Sequence, residues 1–103
     1  MLSNDFNLSY EEFLKQYVIS PEYEMTISFS FRDKTYQFEY LNVPRNQNGT
    51  IAYDLITYNG VWEKEIKRER FISLQDAISN ADFDGQSFKD IYYDNDSELI
   101  DVS

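Results

Sequence analysis

Tyr23, Met25, Ile27, Phe29 and Phe31 alternate with Glu24, Thr26, Ser28, Ser30 and Arg32. A period of two sends each set to its own face of a strand, so the segment predicts a half-buried β-strand. Asp33-Lys34 is a predicted tight turn. A second strand returns from Thr35 to Val43, with Tyr36, Phe38 and Tyr40 on one face. The polar run PRNQNG, 44–49, predicts a loop. A third strand is expected from Thr50 to Tyr58. Asn59-Gly60 then supplies the two positive-φ residues that a type I′ hairpin turn requires. The fourth strand extends from Val61 to Ile72. Its middle, WEKEIKRER, is charged on both faces, which predicts an exposed or edge strand.

Elsewhere the period changes. Tyr10, Phe13, Leu14, Tyr17 and Val18 share one helical face, and Ser9 with Glu12 forms a capping box. Glu11 and Glu12 complement the positive end of the helix dipole. Pro21 is the expected stop, with Ser20 biased away from helix before it. Ser73 reads as a second N-cap, followed by the apolar face of Leu74, Ala77, Ile78 and Ala81. Asp84-Gly85 turns the chain, and Phe88, Ile91 and Tyr92 predict another short helix. The expected fold is α+β: an N-terminal helix, a four-stranded antiparallel sheet of two hairpins, and two short C-terminal helices on one face. Residues 1–103 are expected to form a single domain, with 94–103 a loosely ordered acidic tail.

Charge changes the picture. The 103 residues hold 19 acids and 9 bases, a net charge of −10. From Ser73 onward the acids are Asp76, Asp82, Asp84, Asp90, Asp94, Asp96, Glu98 and Asp101, against the single base Lys89. Such a field repels nucleic acid and anionic membranes and attracts basic surfaces. Aromatics make up 17% of the chain, enough to build a core that disordered acidic chains lack. No basic leader or long apolar run is present, so neither a signal peptide nor a membrane span is expected. Zero Cys suits a reducing compartment, and a cytoplasmic location is expected. The three glycosylation sequons, at Asn7, Asn48 and Asn95, read as chance in an Asn-rich chain.

Candidate chemistry is sparse. Without His or Cys the commonest general base, zinc ligands and thiol nucleophile are missing. No phosphate-binding or nucleophile-elbow motif occurs, and nothing sets one acid apart as a glycosidase carboxylate. Asp94, Asp96 and Glu98 alternate, but the glycine and final Glu of an EF-hand are not at their offsets. No catalytic residue, cofactor or metal is therefore assigned. Lys64, Lys67, Arg68 and Arg70 are interleaved with Glu63, Glu65 and Glu69, which fits cross-strand pairing better than a nucleic-acid groove. The candidate partner-binding residues are Asp76, Asp82, Asp84, Asp90, Asp94, Asp96 and Glu98, with Tyr58 and Trp62 as aromatic anchors.

In size and acidity the chain resembles the small acidic anti-CRISPR proteins of phages and mobile elements that inhibit type II effector nucleases. The resemblance rests on composition and carries over no site residue. It implies a non-enzymatic inhibitor that blocks the DNA-binding surface of a basic nuclease, or a nuclease–guide complex, by charge mimicry. The alternatives are an immunity protein neutralising a basic nuclease toxin, by the same electrostatics, and a homo-oligomeric structural or regulatory module. The self-repulsion of a −10 chain favours a monomer.

Overall fold

The structure, a computed structural model, describes residues 1–19 and 23–103. The expected helix stop at Ser20 and Pro21 lies outside the described residues. One five-stranded antiparallel sheet is built from β1 (Ile27–Phe31), β2 (Lys34–Tyr40), β3 (Tyr53–Asn59), β4 (Lys64–Phe71) and β5 (Ser97–Val102). The strand order is β4-β3-β2-β1-β5. Among the described residues four α-helices accompany it: α1 (Leu2–Phe6), α2 (Tyr10–Phe13), α3 (Leu74–Asn80) and α4 (Phe88–Tyr92). The architecture is α+β, as the alternation of periods implied.

The sheet has one strand more than the sequence predicts. Residues 97–102, expected as tail, form β5 and pair antiparallel with β1. Two local features concealed it. Ile100 is skipped in the register between Leu99 and Asp101, so the alternation is broken. The strand is also anchored by distant groups. Ser97 Oγ accepts from Leu2 N–H at 3.1 Å, and Asp5 Oδ2 accepts from Leu99 N–H at 2.9 Å.

The helix expected at 9–19 begins as predicted. Ser9 and Glu12 cap each other reciprocally, and α2 runs on as a π-helical stretch from Leu14 to Ile19. Ser73 caps α3, and Ser87 with Asp90 forms a second capping box at α4. α1 was not anticipated; it is a single turn closed by Asn7 at φ 55°.

Both turn assignments need correction. The β1–β2 turn is Arg32-Asp33, one residue earlier than expected, because Phe31 pairs with Lys34. The β3–β4 connection is not a two-residue type I′ turn. Asn59 pairs with Lys34 on one side and Lys64 on the other, so it stays in the ladder. The loop is Gly60–Glu63, with positive φ at Gly60 and Trp62. Gly60 is fixed from outside the hairpin: its N–H donates to Asp33 O at 2.9 Å, and its carbonyl accepts from Thr35 Oγ1 at 2.7 Å.

Ile27, Phe29, Phe31, Tyr36, Phe38, Tyr53 and Leu55 point to one face, where Phe13, Ile78, Phe83, Phe88 and Tyr92 cover them. Phe88 lies between Phe29 and Phe38, edge-on to both at 5.6 and 5.5 Å. The opposite face carries Ser28, Gln37, Glu39, Asp54, Ile56 and Tyr58 and is not covered by a helix among the described residues.

Candidate functional site

Three chain reversals and the start of β5 meet at one end of the sheet. The Arg32-Asp33 turn lies at the centre and is bonded to the Gly60–Glu63 loop through Asp33 O. On the β5 side, Ser97 pairs with Phe31, which brings the Asp94–Asp96 turn alongside. Asp94 Oδ1 holds that turn by accepting from Asp96 N–H at 2.8 Å. On the helical side, Asp84 accepts from Lys34 Nζ at 2.8 Å, and Asp82 Oδ1 caps the Asp84-Gly85 reversal through Gly85 N–H. The Lys34 ammonium holds the Asp84 carboxyl below its ordinary value, and the same bond raises Lys34.

This end therefore gathers Asp33, Glu63, Asp82, Asp84, Asp94 and Asp96, with Arg32, Lys34 and Lys64 among them. Arg32 Nε is 3.9 Å from Asp96 Oδ2, and both side chains are more than half exposed. An open cleft of about 400 Å³ separates the two hairpin ends, lined by Arg32, Asp33, Asn59, Gly60 and Glu63. Glu98, opposite Ser30, and Asp101, opposite Ser28, continue the acidic line along the β5 edge on the polar face.

The expected site residues are thus divided. Asp82, Asp84, Asp94, Asp96 and Glu98 share the turn end and the β5 edge. Asp76 and Asp90 lie in the first turns of α3 and α4 and serve the backbone: Asp76 accepts from Ile72 N–H and Asn80 Nδ2, Asp90 from Ser87 N–H. Tyr58 and Trp62 stand at the β3–β4 hairpin, their rings edge-to-face at 4.9 Å. β4 and β5 are the two opposite edges of the sheet, so these aromatics are remote from Glu98 and Asp101. Asp33 and Glu63 are not among the expected site residues: Asp33 falls in the expected Asp33-Lys34 turn, and Glu63 in the expected fourth strand.

The polar face also holds an acid that local sequence could not single out. Asp54 on β3 is 1% exposed and accepts from Arg68 Nη1 at 3.1 Å and from Arg70 Nε at 3.0 Å. Burial pushes its carboxyl up, but the bonds from Arg70 and Arg68 outweigh burial and hold it below its ordinary value. Arg68 also bonds Glu65 at 2.8 Å and lies 3.8 Å from Glu39. The basic residues of β4 are therefore largely occupied by their own acids. They do not form an open positive groove.

Among the described residues no cluster of three His, Cys, Asp or Glu side chains is arranged to hold a metal. No helix among them is long and apolar enough to cross a membrane. Comparison with protein-family models, with curated proteins and with solved structures returned no match. The functional reading accordingly rests on the chain's own geometry.

Proposed function

We propose that the protein is a non-enzymatic inhibitor that docks its acidic turn end and β5 edge onto a basic, nucleic-acid-handling protein, a CRISPR effector nuclease being the target class that its resemblance to the small acidic anti-CRISPR proteins implies. The observation that carries this reading is the placement of Asp94, Asp96, Glu98 and Asp101 along one sheet edge, with Arg32 the base that lies against them. A run of carboxylates on a rigid strand offers bidentate acceptors to arginines that otherwise hold phosphates. Glu98 and Asp101 face Ser30 and Ser28, two residues apart on β1, so they stand about 7 Å apart along the edge. Each strand of duplex DNA carries a charge about every 3.4 Å of helix axis. The edge therefore imitates the sign and linear layout of a phosphate backbone at lower density. Contact would exclude nucleic acid by occupancy and require no chemistry.

The test is charge reversal at Asp94, Asp96 and Glu98 together, measured as inhibition of a target nuclease across a salt series. Inhibition should weaken and its salt dependence should flatten. Unchanged inhibition removes this edge from the interface. Protein captured from a bacterial lysate at low salt and eluted at high salt identifies the target: an effector nuclease supports anti-defence, a secreted nuclease toxin supports immunity.

A further inference from the structure

The edge opposite β5 has a different character. β4 is exposed along most of its length and pairs only with β3 among the described residues. Residues 63–70 read Glu, Lys, Glu, Ile, Lys, Arg, Glu, Arg, with four bases and three acids. In a chain of net charge −10, this is the edge on which a second copy meets least repulsion. A row of like charges would blunt an edge against self-pairing. The order of signs here does the opposite.

Laid antiparallel on itself about a two-fold axis between Ile66 and Lys67, β4 places Glu65 opposite Arg68 and Lys64 opposite Glu69, and brings Glu63, at the end of the preceding loop, toward Arg70. Every charged pair in this register is attractive and each occurs twice; Arg68, Arg70 and Glu69 would share these contacts with their intrachain partners Glu65, Asp54 and Lys67. The bulge in β4 makes the register possible. In an unbroken strand, partners across an antiparallel ladder share one phase, so residues an odd number apart cannot face each other. β4 pairs Thr57 with Lys67 but Tyr58 with Glu65, so Ile66 is an extra residue that inverts the phase. Glu65 and Arg68 then lie on the same face with the same backbone orientation, as do Lys64 and Glu69. The two bulges face each other at the axis. Ile66, 50% exposed, meets its counterpart and the alkyl stem of Lys67 there.

We propose that the β4 edge is an isologous interface that joins two copies of this chain into a continuous ten-stranded sheet. Two short strands bury less than the roughly 1,200 Å² of a standard interface, so the dimer is weak and concentration-dependent. It stands independently of any partner on the β5 edge, which lies at each far end of the joined sheet.

The experiment is sedimentation equilibrium over a concentration series with wild type, Lys64→Glu, Glu69→Lys, the double variant and an equimolar mixture of the two single variants. Circular dichroism checks that each exposed-site variant stays folded. Wild type should dimerise. Each single variant turns two attractive pairs into like-charged ones and should weaken dimerisation about tenfold. The double variant restores both pairs and should recover it. In the mixture, the acid introduced at position 64 of one copy meets the base introduced at position 69 of the other. The unchanged Glu69 of the first copy meets the unchanged Lys64 of the second, so heterodimers should form with wild-type affinity at concentrations where either variant alone is mostly monomeric. Wild type that stays monomeric to about 1 mM overturns the proposal. So does a dimer that both single variants leave unchanged, or a mixture that behaves as its separate components.

Discussion

Arg70 on β4 donates from Nε to Asp54 Oδ1 on β3 at 3.0 Å, while Arg68 reaches Oδ2 of the same carboxylate at 3.1 Å. The acid is buried and the bases are largely exposed, so the cost of removing either side is unequal. Asp54→Asn leaves no buried charge and should cost about 1–2 kcal/mol. Changing Arg68 and Arg70 together to Gln strands the carboxylate and should cost more. Urea midpoints of the two variants decide the order; an equal or reversed order would mean that Asp54 does not depend on these arginines.

The same pair sets a pH response. The folded carboxyl is held below its ordinary value, so the unfolded chain takes up the proton first. Its contribution is complete above the unfolded value of about 4 and is lost as pH falls through the lower folded value. Wild type should therefore lose stability on acidification below about pH 4 more steeply than Asp54→Asn. Thermal melts across that range would show the difference, and parallel curves would count against it.

Tyr92 lies wholly inside the helical layer, and its hydroxyl donates to Leu8 O at 2.9 Å. Burial pushes its phenol above the ordinary value, so it remains a donor through the alkaline range. Tyr92→Phe keeps the ring packed among Phe6, Phe13 and Phe88 but orphans the Leu8 carbonyl. About 1 kcal/mol should be lost, seen as a fall of about 4–8 °C in Tm. A Tm within a degree of wild type would place water on that carbonyl instead.

Removing residues 97–103 tests whether β5 is structural. The deletion strips β1 of a partner, removes the packing of Leu99 and Val102 against the core, and frees Leu2 N–H. The shortened chain should lose its cooperative thermal transition. A truncated protein that melts like the full chain would return the segment to the status of a tail.

The N-caps of α3 and α4 offer a check on the division of labour among the acids. Ser73→Ala should cost about 1 kcal/mol by removing the acceptor for Asp76 N–H. Under the proposed function it should leave target inhibition intact, because α3 is remote from the β5 edge. Impaired inhibition with an intact fold would move the interface toward α3.

Much of the fold was legible in one dimension because its causes are local. The alternation from Ile27 to Phe31 follows from a two-residue period, and the Ser9/Glu12 box and the Ser73 cap on Asp76 each close over three residues. β5 was hidden because Ile100 breaks its period and its anchors, Leu2 and Asp5, lie at the other end of the chain. The Asn59-Gly60 turn failed for a related reason: Asp33 and Thr35 of the neighbouring hairpin claim Gly60. Composition determined the sign of the surface and excluded histidine and cysteine chemistry. Only tertiary structure divided those acids between helix caps, a buried Asp54 and one exposed edge. Side-chain charge is a property of the residue, but its surroundings depend on which strands pair.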